Sequence, residues 1–69
     1  MSIRDSSLDD AQRHADRGDW ALVARIANQV ISRTPESARA WHLRGMAAYQ
    51  AAEYEAAIAD LEHAHVLAP

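Results

Sequence analysis

The chain matches itself at an offset of 34 residues, and this self-similarity restricts its fold more than any other feature. Pro35 falls on Pro69, and seven further pairs keep size, charge or aromatic character at the same offset: Trp20 with Tyr54, Asp19 with Glu53, Gly18 with Ala52, Ala11 with Gly45, Val23 with Ala57, Ala27 with Leu61 and Val30 with Ala64. Repeat periods of roughly 20–50 residues are typical of stacked supersecondary units. Two copies of one unit therefore fill the chain, the first over about 4–35 and the second over about 36–69.

Composition favours an all-α fold for both units. Sixteen of the 69 residues are alanine, whereas glycine and proline occur only twice each, too rarely for the turns of a many-stranded β fold. Apolar residues recur at three- and four-residue steps, which predicts two helices per unit. The predicted helices cover about 6–17, 20–33, 37–51 and 54–67.

Capping residues support these helix limits. Ser6 or Ser7 is expected to cap the first helix and Asp19 the second, and Ser37 is expected to cap the third. Gly18 ends the first helix because it tolerates positive φ, and Pro35 stops the second. Each unit is thus predicted to be a helical hairpin.

The period and the residue placement resemble the tetratricopeptide repeat family, whose pattern W-x2-L-G-x2-Y, A-x3-F and P extends over 34 residues. The second unit carries six of the family's positions: Trp41, Gly45, Tyr54, Ala57, Ala64 and Pro69. It departs from the pattern at Arg44, where the family prefers Leu, and at Ala48 and Leu61. The first unit is more divergent but keeps seven positions: Ala11, Gly18, Trp20, Val23, Ala27, Val30 and Pro35.

The resemblance implies two antiparallel helix-turn-helix repeats that form a fragment of a right-handed α-solenoid. It also implies a protein-binding scaffold, because the first helices of such repeats line a concave groove that binds peptide segments of partners. On this chain the groove positions are Leu8, Gln12, Asp16, Arg39, His42, Met46, Tyr49 and Gln50. Gly45 and Ala57 are expected to let the helices of the second unit approach closely, with Trp41 and Tyr54 filling the space at either end.

The last helix has more apolar surface than its own hairpin should cover. Its candidate assembly surface consists of Ile58, Leu61, Val66 and Leu67. In the tetratricopeptide family such positions meet a following repeat or a capping helix. Two alternatives to the peptide groove therefore stay open: two copies pair through this end as a homo-oligomer, or the segment is the N-terminal docking element of a larger protein with further repeats or a catalytic domain.

No catalytic, cofactor-binding or metal-binding site is predicted. Cysteine is absent, and the four histidines, at 14, 42, 63 and 65, lack the i,i+4 spacing of a helical metal site. The acids Glu53, Glu55, Asp60 and Glu62 are expected on the outside of the last helix, where they favour solubility and complement the helix dipole. We therefore expect a protein that is not an enzyme.

Charge and hydropathy restrict the partners and the cellular location that we expect for this chain. The net charge of −3 and the absence of a basic patch argue against nucleic acid as a partner. The chain contains no apolar run of about 20 residues, and no signal peptide is recognisable, so we expect a cytoplasmic protein that does not bind membranes. All seven basic residues are Arg, which together with the many alanines favours a GC-rich bacterial source.

Overall fold

A computed structural model describes the backbone of residues 4–69 and the side chains from residue 7 onward. It has four α-helices and, over those residues, no strand: α1 (Arg4–Asp16), α2 (Trp20–Arg33), α3 (Ala38–Gln50) and α4 (Tyr54–Leu67). The predicted all-α class with four helices is confirmed. None of these helices is both long and apolar enough to cross a membrane.

The 34-residue period is present in the backbone as well as in the sequence. The limits of α3 and α4 each lie 34 positions after those of α1 and α2. The two hairpin turns correspond in the same way, because Gly18 has φ +83° and Ala52 has φ +63°. In each turn the following residue donates its backbone N–H to a carbonyl five residues earlier, Asp19 to His14 at 2.8 Å and Glu53 to Ala48 at 2.9 Å.

The helix starts differ in part from the predicted caps. Ser37 caps α3 as expected, since its hydroxyl oxygen accepts the backbone N–H of Ala40 at 3.3 Å. Asp19 occupies the cap position of α2, but its side chain makes no capping hydrogen bond. The prediction that Ser6 or Ser7 caps α1 is wrong, because α1 already begins at Arg4 and both serines lie within it. The residues that precede Arg4 lie outside the described part.

The core lies where α1, α2 and α3 meet. Its buried side chains are Leu8, Ala11, Val23, Val30, Ala40, Leu43 and Ala47. Five partly buried residues pack against them: Ala15, Trp20, Ala24, Ile26 and Ile31. Helix α3 is the central element, because it contacts α1, α2 and α4. The two hairpins therefore share one interior rather than burying two separate ones.

Small residues set the close approach of α3 to α4. A Cβ atom on Gly45 would lie only 2.9 Å from Cγ of Leu61 and 3.2 Å from Cβ of Asp60. Ala57 is also 2% exposed, so the predicted roles of both small residues agree with the structure. Tyr54 does not fill the space at one end as expected, because it is 56% exposed. Trp41 is half-buried, and its indole N–H donates to the carbonyl of Pro35 at 2.7 Å.

Candidate functional site

One face of α4 is open to solvent although its counterpart on α2 is partly buried. We define the α4 face as the four residues that lie along one side of the helix at steps of four, three and four: Tyr54, Ile58, Leu61 and His65. Tyr54 and Ile58 are each 56% exposed. Their counterparts 34 positions earlier, Trp20 and Ala24, pack against the core shared with α3. Tyr54 and Ile58 thus repeat part of a helix-contact surface without a helix to cover them among the described residues. Leu61 is half-buried beside Gly45 of α3.

Arg44 shows how α2 is joined to the helix that covers it. Its Nη1 donates to the side-chain oxygen of Asn28 on α2 at 2.9 Å. Its Nε and Nη2 donate to the two carboxylate oxygens of Asp60 on α4, at 3.0 and 2.9 Å. The guanidinium also lies 4.6 Å from the centre of the Trp41 ring, within cation–π range. One side chain of α3 therefore links three helices.

The bidentate ion pair stabilises the charged form of Arg44. The pKa of Arg44 is raised above its ordinary value, chiefly by the hydrogen bond to Asp60 and further by that carboxylate's charge, while desolvation acts in the opposite direction. A raised pKa means that the charged form is stabilised by folding at every pH below the alkaline range. The guanidinium is therefore a permanent charge in the structure.

The expected exposed position of Asp60 is wrong. Asp60 is only 7% exposed, whereas Glu53, Glu55 and Glu62 are exposed as predicted. It lies on the side of α4 that faces α3, three residues after Ala57 and four before Ala64, which are both buried. A buried carboxylate requires a partner, and Arg44 supplies it. The carboxylate therefore joins helices instead of serving solubility.

The predicted groove residues of α1 are largely occupied by contacts within the chain. Leu8 is 5% exposed in the core, so it does not line an accessible groove. Gln12 and Asp16 are exposed, and the Gln12 amide donates to the Asp16 carboxylate at 3.1 Å. Arg39 of α3 donates to Asp9 of α1 at 3.0 Å. Gln12, Asp16 and Arg39 thus remain exposed but are engaged in surface hydrogen bonds within the chain.

The groove residues of α3 lie next to the α4 face. His42, Tyr49 and Gln50 are exposed, and Met46 is half-buried. The rings of Tyr49 and Tyr54 meet edge to face with centres 5.4 Å apart. A shallow hollow of about 480 Å³ also brings α3 and α4 residues together: Ala38, Arg39, His42, Leu61, Ala64, His65 and Ala68. The predicted groove and the α4 face are thus neighbouring parts of one surface.

The four residues of the predicted assembly surface do not share one side of α4. Ile58 and Leu61 belong to the α4 face, and Val66 is 74% exposed. Leu67 is half-buried and follows Ile58 by nine residues, which puts the two on opposite sides of a helix with 3.6 residues per turn. Leu67 is therefore not part of the same binding surface.

The histidines lie in three separate surroundings. The His63 ring packs against Trp41 with centres 4.2 Å apart, and His14 Nδ1 lies 3.7 Å from the Asp19 carboxylate. His42 and His65 border the hollow between α3 and α4. Over the described residues, no group of three or more potential ligand side chains is arranged to hold a metal ion.

A second hollow, of about 590 Å³, lies beside the Arg44–Asp60 pair between α2 and α4. Apart from the polar residues Asn28 and Glu53 and the ring of Trp20, alanines form its walls: Ala21, Ala24, Ala47, Ala48, Ala51, Ala56 and Ala59. Short side chains leave this space open.

Comparisons of the chain with protein-family models, curated proteins and solved structures give no match. The functional interpretation therefore depends on the residues of the chain itself.

Proposed function

We propose that this chain is a protein–protein interaction module that binds a helix of a partner protein through the α4 face. The observation that carries the proposal is the difference between equivalent positions: Ile58 is 56% exposed, whereas Ala24 is packed against the core beside α3. The side of α2 that packs against α3 is thus repeated on α4, where Ile58 is exposed. The resemblance to tetratricopeptide repeats, which stack in this manner, supports the same interpretation.

The composition of the α4 face suits protein recognition. Tyr54 and Ile58 offer exposed aromatic and aliphatic contact area beside the half-buried Leu61, and exposed apolar residues are typical of interaction sites. Acidic side chains border the face at Glu55 and Glu62. An apolar centre with a charged border is the usual anatomy of a protein interface.

Selection of a library of helical peptides against the full chain tests this function, with nuclear magnetic resonance used to locate the selected peptides. We expect shifts at Tyr54, Ile58 and Leu61 and loss of binding in Ile58→Glu. Leu22→Glu is the matched control, because Leu22 is an exposed aliphatic residue on α2 outside the α4 face. Peptides that bind Ile58→Glu as well as the unmodified chain would contradict the proposal.

A second candidate is a peptide groove on α3. It is favoured by the exposed side chains of His42, Tyr49 and Gln50, which lie beside the α4 face. Shifts concentrated at Arg39, His42 and Tyr49, with binding unaffected by Ile58→Glu, would favour the groove over the α4 face. Either outcome is consistent with a scaffold, and the two surfaces are distinguished by the position of the shifts.

A further inference from the structure

We propose that the α4 face selects a partner helix that presents an arginine or lysine to Glu62. This inference rests on the proposed function, because it specifies the partner for the same face. Glu62 lies 34 positions after Asn28, the residue of α2 that accepts a hydrogen bond from Arg44 of the covering helix. A helix that covers α4 as α3 covers α2 therefore brings its counterpart of Arg44 to Glu62.

The change from an amide to a carboxylate gives this position a preference for positive charge. Asn28 accepts from Arg44 as a neutral group at 2.9 Å. Glu62 is exposed and presents a carboxylate, and a hydrogen bond between a cation and a carboxylate is stronger than one to a neutral acceptor. A partner with an acid at the same position would suffer repulsion. Glu62 therefore contributes to partner choice as well as to binding.

The charge of the residues around Glu62 also favours a positively charged partner. Residues 36–69 contain two Arg and five acids, and Arg44 and Asp60 neutralise one another. Glu55 borders the α4 face together with Glu62. Local negative charge attracts a cationic partner during encounter and disfavours an acidic one.

Helix α3 also indicates which apolar residues the partner helix should carry. Its buried positions Ala40, Leu43 and Ala47 follow one another at three and four residues, and Arg44 follows Leu43 directly. Small side chains are expected on the partner, because Ile58 is larger than its counterpart Ala24 and leaves less space. The partner is thus an alanine-rich amphipathic helix with one basic residue beside its apolar stripe.

A second copy of this chain does not meet the requirement. If α1 of another copy covered α4, the counterparts of Leu43 and Ala47 would be Asp9 and Arg13, two charged residues. The counterpart of Arg44 would be Asp10, which would place a carboxylate against Glu62. Head-to-tail stacking of copies is therefore disfavoured both by desolvation and by repulsion. The covering helix is therefore one that carries a basic residue where α1 carries Asp10.

The test titrates the full chain with a synthetic peptide of residues 36–51, which contains the α3 sequence and its Ser37 cap. We expect resonance shifts at Tyr54, Ile58 and Glu62. A peptide with Arg44→Glu should bind about threefold to tenfold more weakly, the range expected for exposed charge pairs and their reversal. Glu62→Lys in the chain should restore the binding of that peptide. Glu55→Lys makes the same charge change one helix turn or more away and should restore much less.

Four results would overturn the inference: shifts away from the α4 face, equal binding of the two peptides, equal rescue by Glu62→Lys and Glu55→Lys, or a dimer formed through the α4 face in light scattering. Because a short free peptide forms helix poorly, the same segment is also joined to Pro69, which raises its effective concentration. Absence of docking in this joined form would also overturn the inference. Library peptides that bind the α4 face without charge dependence would leave the proposed function intact.

Discussion

Arg44 connects the first hairpin to the second through one guanidinium group. Its contacts with Asn28 and Asp60 cross two helix interfaces, and the Trp41 ring covers part of its surface. Breaking a largely buried pair on one side is costly, because the remaining charge loses its partner without regaining water. Replacing both members by apolar residues is much less costly.

Asp60→Asn should therefore lower the free energy of unfolding by about 1–3 kcal/mol, measured by urea denaturation followed by circular dichroism. The matched control Glu55→Gln, on an exposed part of the same helix, should change it by less than about 0.5 kcal/mol. The double variant Asp60→Ala, Arg44→Leu should lose less free energy of unfolding than the sum of the losses in the two single variants. Equal stability of Asp60→Asn and Glu55→Gln would contradict this role of the ion pair.

Gly45 provides a second prediction at the scale of a residue. Gly45→Ala would normally stabilise a helix by about 1 kcal/mol. Here the new Cβ would lie 2.9 Å from Cγ of Leu61, so we expect a net loss of about 1–3 kcal/mol in the free energy of unfolding. In a Leu61→Ala background most of that cost should disappear. Stabilisation by Gly45→Ala in the unmodified background would show that α3 and α4 do not approach this closely.

Sequence reasoning identified the close approach at Gly45 but not the ion pair. The spacing of Ala57, Asp60 and Ala64 puts Asp60 on the same side of α4 as two buried alanines, but acids are usually exposed, so the spacing alone does not predict burial. Arg44 lies within the apolar pattern of α3, directly after the buried Leu43, a second indication of a polar contact in the interior. Which acid pairs with which base depends on helix packing, which the local sequence does not specify.

At the scale of elements, the turn between α3 and α4 holds a residue in an unfavourable conformation. Ala52 has φ +63° and is the counterpart of Gly18 at +83°. A left-handed conformation costs an L-residue about 1–2 kcal/mol, which Gly avoids. The 34-residue offset aligns Ala52 with Gly18, but the positive φ of an alanine was not predictable from its own preferences.

Ala52→Gly should raise the free energy of unfolding by about 0.5–1 kcal/mol, because the relief of strain exceeds the added freedom of the unfolded chain. Ala51→Gly, one residue earlier at φ −88°, should lower it by up to about 1 kcal/mol. Thermal unfolding followed by circular dichroism compares the two variants. A stability loss in both would contradict the left-handed turn at Ala52.

The limits of the helices were largely predictable because the repeat and the apolar periodicity agree. The predicted α2 and α4 coincide with the observed Trp20–Arg33 and Tyr54–Leu67. The start of α1 was misplaced because Ser6 and Ser7 are strong capping residues by type, yet the helix begins before them. A capping preference identifies an allowed start, whereas competing starts are decided by the packing of the helix.

At the scale of the whole molecule, two equivalent hairpins have non-equivalent surroundings. The sequence predicted an apolar end at α4, and Ile58 and Leu61 belong to it. It did not predict that Leu67 lies on the other side or that Tyr54 is exposed. These differences arise because a repeat fixes positions within a unit, whereas exposure depends on what lies beside the unit.

Thiol labelling at the equivalent positions 24 and 58 tests most directly whether α4 carries an uncovered helix-binding face. The chain has no cysteine, so Ala24→Cys and Ile58→Cys each introduce a single thiol. We predict that position 58 reacts as fast as a thiol in an unfolded peptide, whereas position 24 reacts more slowly, because Ala24 is half-buried and packs against the core. Equal rates at both positions, or protection of position 58, would contradict an open face on α4.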